Sequence, residues 1–202
     1  MDEREALYYA TQQSNLIEGE ATHGLSFDNH WRCTLLAATA ASAKQLLHPR
    51  VYHRLLFEGI TIDFDHVIKA GDYRTPGIDA YVNQADGKRR IFTPGNDVAE
   101  QMALWWDEWL QRETWFDGSR REHECWTFHA WFESIHPFVD GNGRVGRLMM
   151  WNMNMIVGMQ LDVPTFSKRN LYYDRLDAWR KEHWPNGLGI PEVVRSRFAY
   201  DD

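Results

Sequence analysis

The stretch IHPFVDGNGRVGR, residues 135–147, decides the interpretation of this chain. It places a histidine, a carboxylate, a cluster of glycine and asparagine, and two arginines within thirteen residues. The segment before it, residues 122–136, has a helical pattern, and Pro137 ends that helix because proline lacks an N–H and restricts its predecessor. Two glycines and Asn142 then favour positive φ and close backbone approach. We therefore predict a tight loop after His136.

A new helical pattern, residues 144–155, follows the loop. The loop thus precedes a helix N-terminus, where free N–H groups and the helix dipole attract anions. Arg144 and Arg147 share one face of this helix, and both are predicted to reach over the loop toward the same anion. Asp140 offers the hard oxygen ligand that Mg²⁺ on a polyphosphate prefers. His136 is placed to take a proton from an incoming hydroxyl. The residues alone predict local phosphate chemistry.

These residues also allow two other interpretations. His129, Glu133 and His136 recur at i, i+4 and i+7 on one helical face, which is workable spacing for metal ligands. A metal site would leave the glycines and both arginines unused, and a histidine on a packed helix is more often a hydrogen-bonded core residue. A plain structural turn explains each residue singly but not their joint occurrence. A nearby methionine run is predicted to fill the core; it comprises Met149, Met150, Met153 and Met155.

Composition limits the partners of the chain. Its 202 residues suit one domain over 1–202, and 44% apolar with 25% charged residues is globular composition. A formal charge of -7 leaves no broad cationic surface, so we expect no nucleic-acid partner. No basic apolar leader and no run of ~18 apolar residues is seen, so we expect a cytoplasmic protein with no membrane partner. Cys33 and Cys125 are predicted to be reduced and buried.

The rest of the chain has mostly helical periodicity, so the predicted class is all-α. Further helices are predicted over Glu3–Ile17, ending at Gly19; from a cap at Asp28 or Asn29 through Leu47; over about Val51–Glu58; and after a cap at Asn96 or Asp97. The last of these presents an apolar face that we assign to the core, comprising Val98, Met102, Trp105 and Trp109. Between the third and fourth helices, residues 71–95 mix turn formers with β-prone residues, and Asp86-Gly87 has the sequence of a hairpin turn. We predict a small β-hairpin flap there.

All nine specified positions of the signature H-P-F-x-[DE]-G-N-G-R-x-x-R are present from His136 to Arg147, and on these residues the chain resembles the Fic family. Other positions agree with the resemblance, namely Ile135, His129, the Gly-x-Tyr-Arg segment at 71–74, and the pair Tyr172 and Tyr173. The resemblance implies a Fic-type helical bundle with its flap over the active site. It also implies an enzyme that transfers AMP from ATP to a Ser, Thr or Tyr hydroxyl of a target protein or of itself.

The resemblance also assigns roles to residues. His136 would be the general base and Asp140 the Mg²⁺ ligand, while Asn142 and the glycine N–H groups would grip the α-phosphate and the two arginines the remaining phosphates. Phe138 would anchor the loop in the core. The implied ATP-binding set is Asp140, Gly141, Asn142, Gly143, Arg144, Arg147 and Tyr173. Tyr173 is the single candidate for the adenine pocket, because Arg180 stands where some relatives carry an asparagine.

A second pattern, SNLIEGE from residue 14, matches the family's inhibitory motif [ST]-x-x-x-E-[GN] through Ser14, Glu18 and Gly19. The resemblance is to the subclass with an N-terminal inhibitory helix, here residues 1–22. Glu18 is expected to pair with Arg147 and so to deny this arginine to the γ-phosphate, leaving ATP in a pose unfit for in-line attack.

The flap of this family presents the backbone of the target by strand pairing. The docking residues expected here are Ile78, Tyr81 and Val82. The basic residues 88–90 are expected to solvate the tip of the hairpin rather than to select an acidic target.

Alternative functions stay open at this point. Glu18 could orient a water that removes AMP from a modified protein, which would make the chain a de-AMPylase. The chain could also be a nucleotide-binding regulatory or toxin module that transfers nothing. The sequence is compatible with a monomer or a homodimer.

Overall fold

The computed structural model describes residues 2–60, 69–83, 89–111 and 121–195. Within these ranges the chain is mostly helical. The helices are α1 Glu3–Ile17, α2 Gly24–Ser42, α3 Pro49–Leu56, α4 Val98–Gln111, α5 Arg121–Ile135, α6 Asn142–Ile156, α7 Arg169–His183 and α8 Glu192–Arg195, with a 3₁₀ turn at Phe166–Lys168. No helix in the described ranges is both long and apolar enough to cross a bilayer.

Helix α1 has the boundaries that its sequence predicts. Asp2 and Glu5 form a capping box, in which the Glu5 N–H donates to Asp2 Oδ1 at 2.8 Å and the Asp2 N–H donates to Glu5 Oε2 at 2.9 Å. The helix ends at Ile17, and Gly19 follows with a φ of +75°, in the left-handed region that suits glycine. Glu18, the C-cap residue, is thereby held at the end of α1.

Helix α1 packs against α2 and α6. Its buried contact face contains polar groups as well as Leu7 and Ala10. The Thr11 and Thr34 hydroxyls lie 2.8 Å apart, and Asn15 Oδ1 lies 2.6 Å from Nδ1 of His30 in the middle of α2. Buried hydrogen bonds of this kind fix the position of a helix more narrowly than apolar contacts alone.

Helices α2 and α3 have boundaries that differ from the sequence-based prediction. Helix α2 begins at Gly24 rather than beyond Asp28 or Asn29, and it ends at Ser42 instead of Leu47. Asn29 is no cap, because its side-chain amide is buried and donates to the Leu56 carbonyl at 3.2 Å and the Glu58 carbonyl at 2.7 Å. Helix α3 begins at Pro49 rather than near Val51, since proline is compatible with the first turn of a helix.

Helices α4, α5 and α6 enclose the aromatic core. The predicted α4 face is confirmed, because each of its four residues is at most 1% exposed. The rings of Trp105 and Trp109 stack at 4.9 Å and pack edge-on against Phe128 of α5. Cys33 and Cys125 are not joined in a disulfide, and both are buried, as predicted.

Two short strands lie inside the segment for which a hairpin is predicted. Strands β1, Tyr81–Asn83, and β2, Arg89–Ile91, pair antiparallel with Tyr81 opposite Ile91. The predicted turn at 86–87 lies outside the described residues. Ile78, expected within the pairing strand, precedes β1 instead, and its N–H donates to the Thr75 carbonyl at 3.0 Å.

Candidate active site

The signature stretch forms a loop between α5 and α6 that its own side chains brace. His136 has a φ of +53°, uncommon for a residue with a side chain, and its N–H still donates to the Phe132 carbonyl at 3.0 Å to close α5. The Asn142 side chain accepts from the Phe138 N–H and donates to the Phe138 carbonyl, both at 2.8 Å. The side chain expected to grip a phosphate is therefore committed to the loop, and Asn142 has only its backbone N–H to offer an anion.

His53 of α3 supports the loop from below. Its ring stacks on that of fully buried Phe138 at 3.9 Å, which agrees with the anchoring role expected for Phe138. The Gly71 N–H donates to His53 Nδ1 at 2.7 Å, so the ring proton is on Nε2, 3.2 Å from the Asp140 carbonyl. Burial lowers the pKa of His53 to about 4, and the ring is neutral near pH 7. No local pattern in the sequence marks His53 as part of the site.

Arg74 ties the loop to the segment that carries the strands. This buried guanidinium donates to the His136 carbonyl at 2.7 Å and the Ile135 carbonyl at 3.1 Å. It also donates to the carbonyls of Ile78 and Thr93, both at 2.8 Å, on either side of the two strands. Burial lowers the pKa of Arg74 to about 10, although Asp79 opposes this shift, so Arg74 remains charged near pH 7. One cation therefore sets the distance between the strands and His136.

The histidine of the signature faces a cavity of about 440 Å³. The cavity is lined by Glu18, Tyr81, Phe92, Glu133, His136, Gly143, Tyr172, Tyr173, Leu176, Asp177 and Arg180. Nδ1 of His136 is buried, so Nε2 is the nitrogen directed toward this space. Burial, together with the positive charges of Arg74 and Arg180, lowers the pKa of His136 to about 3. The imidazole is neutral near pH 7 and can accept a proton.

The N-terminus of α6 lies at the same cavity. Gly141 is its N-cap with a φ of +76°, and no side chain caps the helix, so its first N–H groups lack intrahelical partners. The Gly141 N–H donates to Asp140 Oδ1 at 2.6 Å. A Cβ at Gly143 would collide with the Glu18 carboxylate and approach Arg147, so this glycine leaves room for the carboxylate at the helix end.

Arg147 is fully buried and faces the C-terminal end of α1. Its Nη2 lies 2.6 Å from Glu18 Oε1, and it donates from Nε to Ser14 Oγ at 2.8 Å and from Nη2 to the Ser14 carbonyl at 3.1 Å. Its Nη1 lies 3.4 Å from the Tyr172 hydroxyl. Burial opposes the charge, but Glu18 above all raises the pKa of Arg147 above its ordinary value. The expected Glu18–Arg147 pair is thus present in the structure.

Arg144 differs from expectation. Its buried guanidinium has Nη2 3.4 Å from Glu20 Oε1 and 3.5 Å from Asp140 Oδ2, and Nη1 3.3 Å from Ser26 Oγ. In this structure the two guanidiniums contact different carboxylates, and neither lines the cavity. Glu20, which the sequence analysis did not consider, holds the first arginine as Glu18 holds the second.

The metal-site alternative finds no support in the geometry of its residues. His129 is buried with Nε2 2.8 Å from the Tyr172 hydroxyl, a hydrogen-bonded core histidine. In the described part of the chain, no group of three His, Cys, Asp or Glu side chains is arranged to hold a metal ion.

Glu133 is a buried carboxyl that the sequence analysis considered only as a metal ligand. Burial raises its pKa to about 8, against the opposing charge of Arg147. Nothing among the described residues hydrogen-bonds its Oε1, and a Cβ at Gly146 of α6 would collide with that oxygen. Glu133 is therefore mostly a neutral acid near pH 7.

Some of the remaining predicted site residues line the cavity and others do not. Tyr173 of α7 is 43% exposed and lines the cavity, as does Tyr81, which is 50% exposed. Ile78 is half-buried and contributes its carbonyl to Arg74, whereas the side chain of Val82 lies outside the described residues. The structure thus brings His136, Gly143, Glu18, Tyr173 and Tyr81 to one cavity, with Ser14 and Arg147 behind Glu18.

Comparison with known proteins agrees with this geometry. A sequence profile of the Fic/DOC family matches residues 45–153, more than half of the chain and all of the signature loop. The chain belongs to the Fic/DOC family.

Two curated relatives resemble shorter stretches. A probable protein adenylyltransferase of Aquifex aeolicus is 40% identical over 68 residues, which is 34% of this chain and 20% of that protein. A Fido domain-containing protein of Dictyostelium discoideum is 41% identical over 52 residues, 26% of this chain and 36% of that protein. The matches span about a fifth and a third of these relatives.

Solved structures share the fold at low sequence identity. A Fic domain-containing signaling protein of Bacteroides thetaiotaomicron superposes with a TM-score of 0.65 at 19% identity, covering 86% of this chain and 70% of that one. Fic-1 from C. elegans gives 0.61 at 20%, covering 95% and 59%. A Fic family protein of Desulfovibrio desulfuricans gives 0.58 at 21%, covering 89% and 58%. These similarities establish the Fic fold for this chain.

Proposed function

We propose that this protein transfers AMP from ATP to a hydroxyl group of a target protein or of itself. The observation that carries this proposal is the meeting of a neutral histidine and an uncapped helix N-terminus at one cavity of about 440 Å³. A base beside an anion-binding helix end is what attack on a phosphate requires. The similarity to a probable protein adenylyltransferase supports the choice of reaction.

His136 acts as the general base. The attacking hydroxyl gives its proton to Nε2 as its oxygen bonds to the α-phosphorus, and the bond from that phosphorus to the bridging oxygen breaks to release diphosphate. No covalent intermediate with the protein is needed, so the chain contributes positioning and charge stabilisation. The neutral state of His136 near pH 7 supports this role.

The phosphates bind at the start of α6. The backbone N–H groups of Asn142 and Gly143 hold the α-phosphate, and Arg147 binds the terminal phosphate once Glu18 has left. Arg144 contributes to the phosphates only after Glu20 releases it. Tyr173 borders the nucleoside end of the cavity.

Asp140 fits a magnesium ion that arrives with ATP. Its carboxylate is 43% exposed, and Mg²⁺ in nucleotide sites commonly uses one or two carboxylates with several phosphate oxygens and waters. Asp140 Oδ1 is already oriented by the Gly141 N–H. The ion supplies neutralisation of the phosphate charge.

The enzyme is held inactive by its own N-terminus. Arg147 cannot bind the terminal phosphate while Glu18 lies 2.6 Å from its Nη2, and the Glu18 carboxylate also covers Gly143 at the helix end. ATP is then left without the contact that aligns its phosphates for in-line attack. This contact supports the inhibitory role of Ser14, Glu18 and Gly19.

The paired strands form the flap that docks the target. Tyr81 and Val82 lie on β1, and Ile78 lies at its approach, where main-chain pairing tolerates many target sequences. The exposed Tyr81 side chain at the cavity rim supports this placement.

Label transfer from ATP tests the proposed reaction. Purified Glu18→Gly protein is incubated with lysate proteins, Mg²⁺ and either α-labelled or γ-labelled ATP, with Glu18→Gly/His136→Ala as the matched inactive control. Label from the α position alone, lost in the control, is the expected result. Label from the γ position would make the protein a kinase, and binding of ATP without any transfer would make it a nucleotide-sensing module.

A further inference from the structure

We propose that Phe92 is a positioning residue that fixes the imidazole of His136 by ring stacking. The inference rests on the proposed role of His136 as base and deepens it, because it names the group that orients this base. Phe92 follows β2 directly, so the orientation of the base depends on the segment assigned to target docking.

The two rings lie face to face. Their centroids are 4.2 Å apart and their planes are inclined by 15°. The Phe92 N–H donates to the Ala80 carbonyl at 3.0 Å, which extends the pairing of β1 and β2 by one step and holds the phenyl ring at the cavity. Phe92 and His136 both line this cavity.

Two cations keep the stacked rings together. Arg74 donates to the carbonyl of Thr93, next to Phe92, and to the carbonyl of His136, so a single guanidinium holds the backbone on both sides of the stack. The Arg180 guanidinium lies over the Phe92 ring at 4.9 Å, and its Nε donates to the hydroxyl of Ser134, two residues before His136, at 3.0 Å. The flap segment and the end of α5 are therefore fastened to each other twice.

The imidazole needs such a support because its second nitrogen is poorly held. A histidine base is commonly oriented by a hydrogen bond at the nitrogen that does not react. The backbone of Glu133 offers this ring a hydrogen bond that raises its pKa, but the contact falls outside ordinary hydrogen-bond geometry, so Nδ1 of His136 is only weakly held. Stacking on Phe92 instead fixes the plane of the imidazole ring.

Loss of the phenyl ring has two consequences. The imidazole gains freedom to leave the orientation needed for proton transfer, and misplacement by ~1 Å can cost about 100-fold in rate. Water also reaches the imidazole, so its pKa rises from about 3 toward its ordinary value of 6.5, against the charges of Arg74 and Arg180. Binding of ATP should change little, because the phosphates are assigned to the N–H groups at the start of α6 and to Arg147 rather than to Phe92.

The test compares three substitutions in the Glu18→Gly protein. Phe92→Leu keeps an apolar side chain at this half-buried position but removes the ring, and Phe92→Tyr keeps the ring. Phe166→Leu is the matched control, since Phe166 also packs against an arginine, Arg169, but stacks on none of the histidines whose side chains the structure describes. Two quantities are measured: the pKa of His136 by NMR titration of the nucleotide-free protein, and kcat and KM for ATP in AMP transfer.

Phe92→Leu is expected to raise the pKa of His136 and to lower kcat about 10- to 100-fold with little change in KM, whereas Phe92→Tyr and Phe166→Leu resemble the parent. Unchanged pKa and kcat in a folded Phe92→Leu protein would overturn the proposal, as would an equal loss in Phe92→Tyr. The titration needs no AMP transfer. A raised pKa in a protein that transfers nothing would support the stacking and overturn only the proposed function.

Discussion

The Glu18–Arg147 contact allows the inhibition to be expressed as a free energy. Nη2 of a fully buried guanidinium lies 2.6 Å from a carboxylate that is 28% exposed. A hydrogen bond to a charged group contributes about 1.5–3 kcal/mol. The terminal phosphate must compete with this contact for the same guanidinium, so Glu18→Gly should raise kcat/KM for AMP transfer by about 10- to 150-fold, at 1.4 kcal/mol per factor of ten.

The same substitution should destabilise the protein without ATP. Arg147 would keep its bonds to Ser14 and the Tyr172 hydroxyl but lose its carboxylate partner, and a buried charge without a counterion is costly. ATP supplies a new counterion, so saturating Mg-ATP should raise the melting temperature of Glu18→Gly more than that of the wild type.

Both effects are measured on matched proteins. AMP transfer is followed with α-labelled ATP, and melting is followed by scanning fluorimetry with and without Mg-ATP. Glu3→Gly is the control, because it removes an exposed carboxylate from the first turn of α1. Equal activity of Glu18→Gly and wild type, with ATP bound equally by both, would refute the competition argument.

Three further substitutions test other parts of the site. His136→Ala in the Glu18→Gly protein should lower kcat by about 10²- to 10⁴-fold while calorimetric ATP binding persists, and weaker binding in place of a lower kcat would contradict its role as base. A buried acid with a raised pKa stabilises the fold only while protonated, so the wild type should lose stability as pH rises from about 4.5 to about 8, and Glu133→Gln should not. The melting temperatures of the two proteins should therefore diverge toward high pH. Parallel melting-temperature curves across this range would contradict the raised pKa. Gly146→Ala should cost about 1–3 kcal/mol in urea unfolding because its Cβ meets the Glu133 carboxyl, and the cost should shrink in a Glu133→Ala background.

Local signals made part of the fold predictable. The boundaries of α1 follow from a cap, an amphipathic run and a glycine, all within a few residues. The apolar face of α4 follows from helical spacing. The start of α2 does not follow from a local signal, because Asn29 looks like a cap but donates to carbonyls at the C-terminal end of α3 and two residues beyond it, 27 and 29 residues further along the chain.

The candidate site likewise has parts that local sequence signals predict and parts that they do not. The signature stretch identifies the loop, and the inhibitory motif correctly anticipates the contact of Glu18 with Arg147. Spacing alone does not reveal the partners of Arg144, because Glu20 and Ser26, which hold it, are more than a hundred residues away in the chain. His53 was missed for the same reason, since its partners are Gly71 and Asp140. Long-range partners of this kind leave no local pattern in a sequence.

A crystal structure of Glu18→Gly with Mg²⁺ and a non-hydrolysable ATP analogue would show directly whether the signature loop binds ATP. The account predicts phosphates on the N–H groups of Asn142 and Gly143, the Arg147 guanidinium on the terminal phosphate, and Nε2 of His136 facing the α-phosphorus. An analogue bound elsewhere, with Arg147 still held by Ser14 and the start of α6 empty, would contradict it.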